Sequence, residues 1–107
     1  MKRTYLDHIA ATPLRAEARE AMRPFLEESF GNPQSLHAAG REALAAIDAA
    51  RGEVAALIGA TPPEVHFVSG GTEANNFALK GLALGQQSRG RHVVVSAIEH
   101  SSVLNSV

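Results

Sequence analysis

The sequence predicts an α/β fold on three observations. Val65-His66-Phe67-Val68 and Val93-Val94-Val95 are short β-rich runs, and between them Asn75, Phe77, Ala78, Leu79, Leu82 and Leu84 recur at helical spacing. Strand, helix, strand is a βαβ unit. Such units build a parallel-type sheet flanked by helices and place ligand sites beyond the carboxyl ends of the strands. Two strands leave sheet edges unpaired and a face uncovered, so the α/β layer is expected to be incomplete within this chain.

The composition agrees with a soluble globular unit: 107 residues, 45% hydrophobic and 20% charged. Ten basic residues against eleven acidic ones leave a net charge of −1. With no positive excess to grip phosphate backbones or anionic lipid, neither nucleic acid nor membrane is expected as a partner. Met1 to Tyr5 carries two basic residues with no apolar run behind them, unlike a secretory signal, and no apolar stretch approaches the roughly 20 residues of a spanning helix. A cytoplasmic protein is expected. There are no cysteines, hence no disulfide, thiolate metal site or cysteine nucleophile in these residues, and the five histidines show no metal-ligand spacing.

Along the chain, Tyr5-Leu6-Asp7 reads as a short extended piece and Ala10 to Leu14 as a loop closed by Thr12-Pro13, because the residue before proline avoids helix. Leu14, Ala18, Ala21, Met22, Phe25 and Leu26 then recur at helical spacing, with Pro24 expected to bend or interrupt the helix. Gly31-Asn32-Pro33 turns the chain. From about Ser35 to Ile58, Leu36, Ala39, Leu44, Ile47, Val54, Leu57 and Ile58 form one stripe of a long helix, for which Gly59 is the left-handed cap and Pro62-Pro63 the barrier to resumption. The first strand follows, then the helix after Ser69-Gly70-Gly71-Thr72, a polar loop from Gln87 to Arg91, and the second strand, ending near Ala97. Ser101 to Val107 reads as the first turns of a helix without a stop signal, so the chain is expected to be cut within an element.

The strongest candidate site is Ser69-Gly70-Gly71-Thr72-Glu73-Ala74-Asn75-Asn76, where strand gives way to helix across two glycines. First-turn N–H groups have no intrahelical acceptor, the helix dipole adds positive potential, and glycine lets a phosphate approach the backbone, to which Thr72 adds a hydroxyl. The competing reading is a tight turn with Thr72 as an ordinary N-cap and Asn75 at the capping-box position. The second candidate is His100, preceded by Glu99 at the same edge of the sheet, whose flat ring suits stacking on an aromatic cofactor. The plainer alternative is a loop histidine that starts the helix at Ser101. Asp7-His8 suggests acid/base work, against which Asp7, Asn32 and Ser35 are all good turn or capping residues. His66 within one strand and His92 at the start of the other read as structural or solvent-facing.

Read together, Tyr5-Leu6-Asp7-His8, Phe30-Gly31-Asn32-Pro33-Gln34-Ser35-Leu36-His37, Gly40-Arg41, Ser69 to Asn76 and Ile98-Glu99-His100 closely resemble, in order and spacing, the start of cysteine desulfurases. That family belongs to fold type I of the pyridoxal 5'-phosphate (PLP) enzymes and is class V aminotransferase-like. The resemblance implies an amino-terminal portion of the large PLP-binding domain, with residues 1–35 as arm and helix, residues 36–107 as the start of the α/β cofactor domain, and no complete second domain. It implies that Gly71 and Thr72 bind the cofactor phosphate and that His100 stacks on the pyridine ring. It further implies L-cysteine as substrate, L-alanine and an enzyme persulfide as products, a sulfur-acceptor protein of scaffold or thiolation type serving iron-sulfur cluster assembly or thiolation, and a homodimer.

Two departures stand near the front, where Ile9 and Ala11 replace the alanine and threonine often found in the family, and Ala11 removes a hydroxyl. The family's catalytic lysine, the aspartate facing the pyridine nitrogen and the nucleophilic cysteine match nothing here. Lys2 and Lys80 are the only lysines, and neither occupies the family's position. The chain alone is therefore expected to be inactive. A selenocysteine lyase or another class V aminotransferase would use the same phosphate turn and stacking histidine, and a non-catalytic phosphate-binding module is the alternative outside enzymes.

Overall fold

A computed structural model describes residues Arg3 to Val107. The readings that involve Met1 and Lys2 lie outside the described residues. Contacts divide the chain into two compact units, one running to Val65 and the other from His66 to Val107.

In the first unit, α1 (Ala16–Glu27) follows the alanine-rich spacing, with Glu17 in its first turn where a carboxylate complements the dipole. Pro24 lies inside α1 without interrupting it. Its missing N–H leaves the Glu20 carbonyl without a helical donor, and the helix ends one turn later with Glu28 and Ser29 both donating to the Pro24 carbonyl, at 2.9 and 2.8 Å. Helix α2 (Ala38–Ile58) begins three residues later than the spacing predicts, because His37 is in extended conformation and its Nδ1 accepts from the Gly40 N–H as an N-cap. Its end follows the prediction. Gly59 has φ 69°, and the Gly59 and Ala60 N–H groups donate to the Ala56 and Ala55 carbonyls at 3.4 and 2.9 Å. Thr61 and Glu64 form a capping box around the short 3₁₀ turn Pro62–Glu64, which packs against α2. Hydrogen bonds from the Thr61 backbone and hydroxyl hold the Glu64 carboxyl below its ordinary value.

Small residues, not the long apolar stripe, make the close packing of α2: Gly40, Ala43 and Ala55 are buried, whereas Leu57 is 85% exposed. The turn after α1 lies directly on the first turns of α2. The Gln34 N–H donates to Asn32 Oδ1 at 2.9 Å, the Ser35 N–H donates to the Asn32 carbonyl at 2.9 Å, and Ser29 Oγ donates to Glu42 Oε1 at 2.6 Å. Backbone meets backbone so closely that glycine is obligatory at two positions. A Cβ on Gly40 would stand 2.1 Å from the Ser35 carbonyl oxygen, and one on Gly31 2.2 Å from that of Ala39.

In the second unit, α3 (Gly71–Gly85) packs against the short α4 (Ser101–Leu104). A 3₁₀ turn, Gln87–Arg89, occupies the predicted polar loop. The two predicted strands lie outside helices, and Val65 has the extended dihedrals φ −99° and ψ 122°. Among the described residues neither run joins a β ladder. A ladder needs a partner's N–H and C=O groups alongside, and alternation of side chains encodes readiness for pairing without supplying the partner. Helix α4 closes after one turn, with Asn105 as its C-cap.

Candidate functional site

The glycine turn leaves the start of α3 open. Gly70 is the N-cap, extended at φ 167° and ψ 179°, and no side chain caps the helix. The first intrahelical bond runs from Ala74 N–H to the Gly70 carbonyl at 3.0 Å, so the N–H groups of Gly71, Thr72 and Glu73 have no helical acceptor. A Cβ on either Gly70 or Gly71 would meet nothing within 4 Å. Local packing therefore does not demand glycine here, and what the two glycines provide is uncovered main chain at the positive end of a 15-residue helix. The capping alternative fails in detail: Thr72 sits within the first turn instead of at the N-cap, and Asn75 bonds elsewhere.

Glu73 fastens the turn from behind. Its carboxylate accepts from the Ser69 hydroxyl and the Ser69 N–H, each at 2.7 Å, and these two bonds, the hydroxyl first, hold the Glu73 carboxyl below its ordinary value. The carboxylate is thus committed to Ser69. Because its folded pKa is depressed, the clasp contributes in full above the unfolded glutamate value and is lost as pH falls through the folded one. Carbon-detected NMR titration is expected to give Glu73 a midpoint below that of a model glutamate peptide, with the Ser69 amide losing hydrogen-exchange protection in the same acid range. Coincidence with the peptide midpoint would show that no clasp forms.

His100 is the N-cap of α4, as the plainer sequence reading held: its Nδ1 accepts from the Ser102 N–H at 3.1 Å. The same nitrogen lies 2.8 Å from Ser102 Oγ, and Asn75 Nδ2 on α3 donates to that hydroxyl at 2.8 Å. Ser102 is buried at the contact of the two helices. The helix turn that carries Gly71 and Thr72 is thereby tied to His100 through Asn75 and Ser102. Beside this link a polar cleft of about 170 Å³ is lined by Thr72, Asn76, Ser101, Ser102, Asn105 and Ser106. Sequence reasoning gave Ser102 no role, and it placed Asn75 in the candidate site and at the capping-box position without its bond to Ser102. The available signal was a hydroxyl two residues after the histidine, together with a polar residue in the second turn of the preceding helix.

Both predicted loops thus come together at one end of α3, with exposed amides on one and an exposed imidazole on the other. The arrangement can receive an anion on main-chain donors and Thr72 while a flat ring stands on the adjoining turn. The other candidates make local contacts of their own. The Asp7 carbonyl accepts from Tyr5 and Ala10, and His8 stacks edge-on against Tyr5 with ring centroids 5.1 Å apart, a local turn and not an acid/base pair. His66 packs edge-on against Phe77. Lys80 Nζ donates to Asn76 Oδ1 at 2.7 Å, one turn along α3. Among the described residues no three histidine or carboxylate side chains converge in a metal-binding group, and no helix is long and apolar enough to cross a membrane.

Known proteins share this arrangement of sequence. The family model described as Aminotransferase class-V matches residues 4–107. The chain is 53% identical over 105 residues to "Cysteine desulfurase IscS" of Dictyoglomus turgidum, covering 97% of this chain and 27% of that protein. It is 47% identical over 106 residues to "Putative cysteine desulfurase IscS 1" of Bacillus subtilis, covering 99% and 28%. A solved "NIFS-like protein" superposes with a TM-score of 0.90 at 37% identity, covering 98% of this chain and 29% of its own. The chain spans about a quarter of the length of the curated relatives it matches.

Proposed function

The chain belongs to the class-V aminotransferase family, and on that premise we propose that it forms part of the cofactor site of a PLP-dependent cysteine desulfurase. The observation that carries this reading is the pairing of uncovered amides at Gly71 and Thr72 with His100 on the adjoining turn. PLP fits what is present. A phosphate dianion suits the open amides at the positive end of α3, and the space that a Cβ of Gly71 would fill is free for it. In this reading the Gly71 and Thr72 N–H groups and the Thr72 hydroxyl hold the phosphate, and the His100 ring lies against the pyridine.

When bound, PLP supplies an electron sink for bond cleavage at an amino acid. This chain's residues bind and orient. The overall conversion takes L-cysteine and an enzyme thiol to L-alanine and an enzyme persulfide, which passes its outer sulfur to an acceptor protein for iron-sulfur cluster assembly or thiolation. The thiol must come from outside these residues, which contain no cysteine, and Lys80, bonded to Asn76, stands in the helix and not at the family's lysine position. In this reading the 107 residues are inactive by themselves, having no cysteine, and act within a cytoplasmic homodimer.

A chimera tests the reading. Residues 1–107 replace the matching segment of the Bacillus subtilis relative, and the product is assayed for alanine released from L-cysteine. Alanine formation dependent on PLP is the expected result. A folded chimera that retains PLP and forms no alanine would overturn the desulfurase assignment.

A further inference from the structure

We infer that Asn75 and Ser102 are positioning residues that hold His100 in one orientation and as the tautomer protonated at Nε2. This deepens the proposed function, on which its meaning for the cofactor rests. The Ser102 N–H can only donate, so Nδ1, 3.1 Å away, must accept. The Asn75 amide donates to Ser102 Oγ at 2.8 Å, and because Nδ1 already accepts from the Ser102 N–H, the contact of 2.8 Å between Oγ and Nδ1 takes its proton from the hydroxyl. Both bonds on Nδ1 are therefore donated to the ring, and the neutral imidazole carries its proton on Nε2. Nε2 meets no partner among the described residues, so its N–H is the ring's one donor free for a ligand.

The relay has a consequence that ordinary helix capping lacks. Capping needs only the Ser102 N–H, whereas Asn75 reaches from the first turns of α3, the element that bears the phosphate amides. Ring and phosphate cradle are thereby fixed relative to each other. Ser102 is 8% exposed, so the hydroxyl at the centre of the link is buried and satisfied on both sides.

Long-range ¹H–¹⁵N NMR at alkaline pH, where imidazoles are neutral, reads the tautomer in the 107-residue chain without any cofactor. The unmodified chain is expected to show His100 Nδ1 as an unprotonated acceptor nitrogen and Nε2 as protonated. Asn75→Ala and Ser102→Ala should each raise the Nδ1–H fraction relative to Nε2–H by about fivefold, the weight of one hydrogen bond, while Ser102→Thr retains the original pattern. An Nδ1–H form in the unmodified chain, or identical patterns in all four proteins, would overturn the relay, and the first result requires no variant to fold. The PLP-loaded chimera supplies the second arm. If the tautomer shifts in Asn75→Ala while the cofactor's visible circular dichroism stays unchanged, the relay stands and the placement of His100 against the cofactor falls.

Discussion

Gly71→Asp is expected to leave the chain as stable as before, or slightly more so, while removing most of its grip on PLP. The two effects have separate causes. Gly71 opens α3 with no positive φ, and a Cβ there would meet nothing within 4 Å, so a side chain is tolerated. Aspartate at a helix start gains some tenths of a kcal/mol from the dipole and from lower chain entropy than glycine. Its carboxylate would also stand where the proposed function puts the phosphate, blocking two charge-assisted hydrogen bonds worth about 3 kcal/mol together, or roughly a hundredfold in affinity. Thermal unfolding of the chain and PLP retention by the chimera measure the two halves. Equal stability with unchanged PLP affinity would mean that these glycines form only a turn. Gly71→Ala, which adds bulk without charge, should weaken binding by a smaller factor.

Gly40→Ala is expected to destabilise the first unit by about 1 to 3 kcal/mol, although alanine is the better helix former by about 1 kcal/mol. The new Cβ would lie 2.1 Å from the Ser35 carbonyl oxygen and 2.7 Å from that of Asn32. Both are backbone atoms, so the turn between α1 and α2 must shift to admit it. The same helix contains its control. Gly52 has nothing within 4 Å of its Cβ position, and Gly52→Ala should stabilise by about the propensity difference. Urea midpoints moving in opposite directions are the expected result, and stabilisation by both substitutions would refute the packed turn.

What the sequence made legible was local. Gly59 announced the end of α2 because a left-handed residue followed by two prolines has few other uses, and the glycine turn announced the open start of α3 because strand-to-helix junctions are short and polar. The lateness of α2 was hidden in His37, since histidine rarely declares itself as a cap. Which residues of α2 are buried was not legible, for a physical reason. A stripe of large apolar residues shows which helix face seeks cover, but close approach is made by Gly40, Ala43 and Ala55, whose small size the pattern does not weigh. The strand-like runs carried the right local preference at Val65, while pairing depends on partners outside any short window. Ser102 escaped notice because its role arises from the packing of α3 on α4, a contact between residues 27 positions apart at Asn75 and Ser102.

A crystal structure of the PLP-loaded chimera would probe the cofactor assignment most directly. The expected density places the phosphate within hydrogen-bonding distance of the Gly71 and Thr72 amides and the Thr72 hydroxyl, with the pyridine ring against His100. A phosphate bound elsewhere, with the mouth of α3 filled by protein side chains, would contradict it.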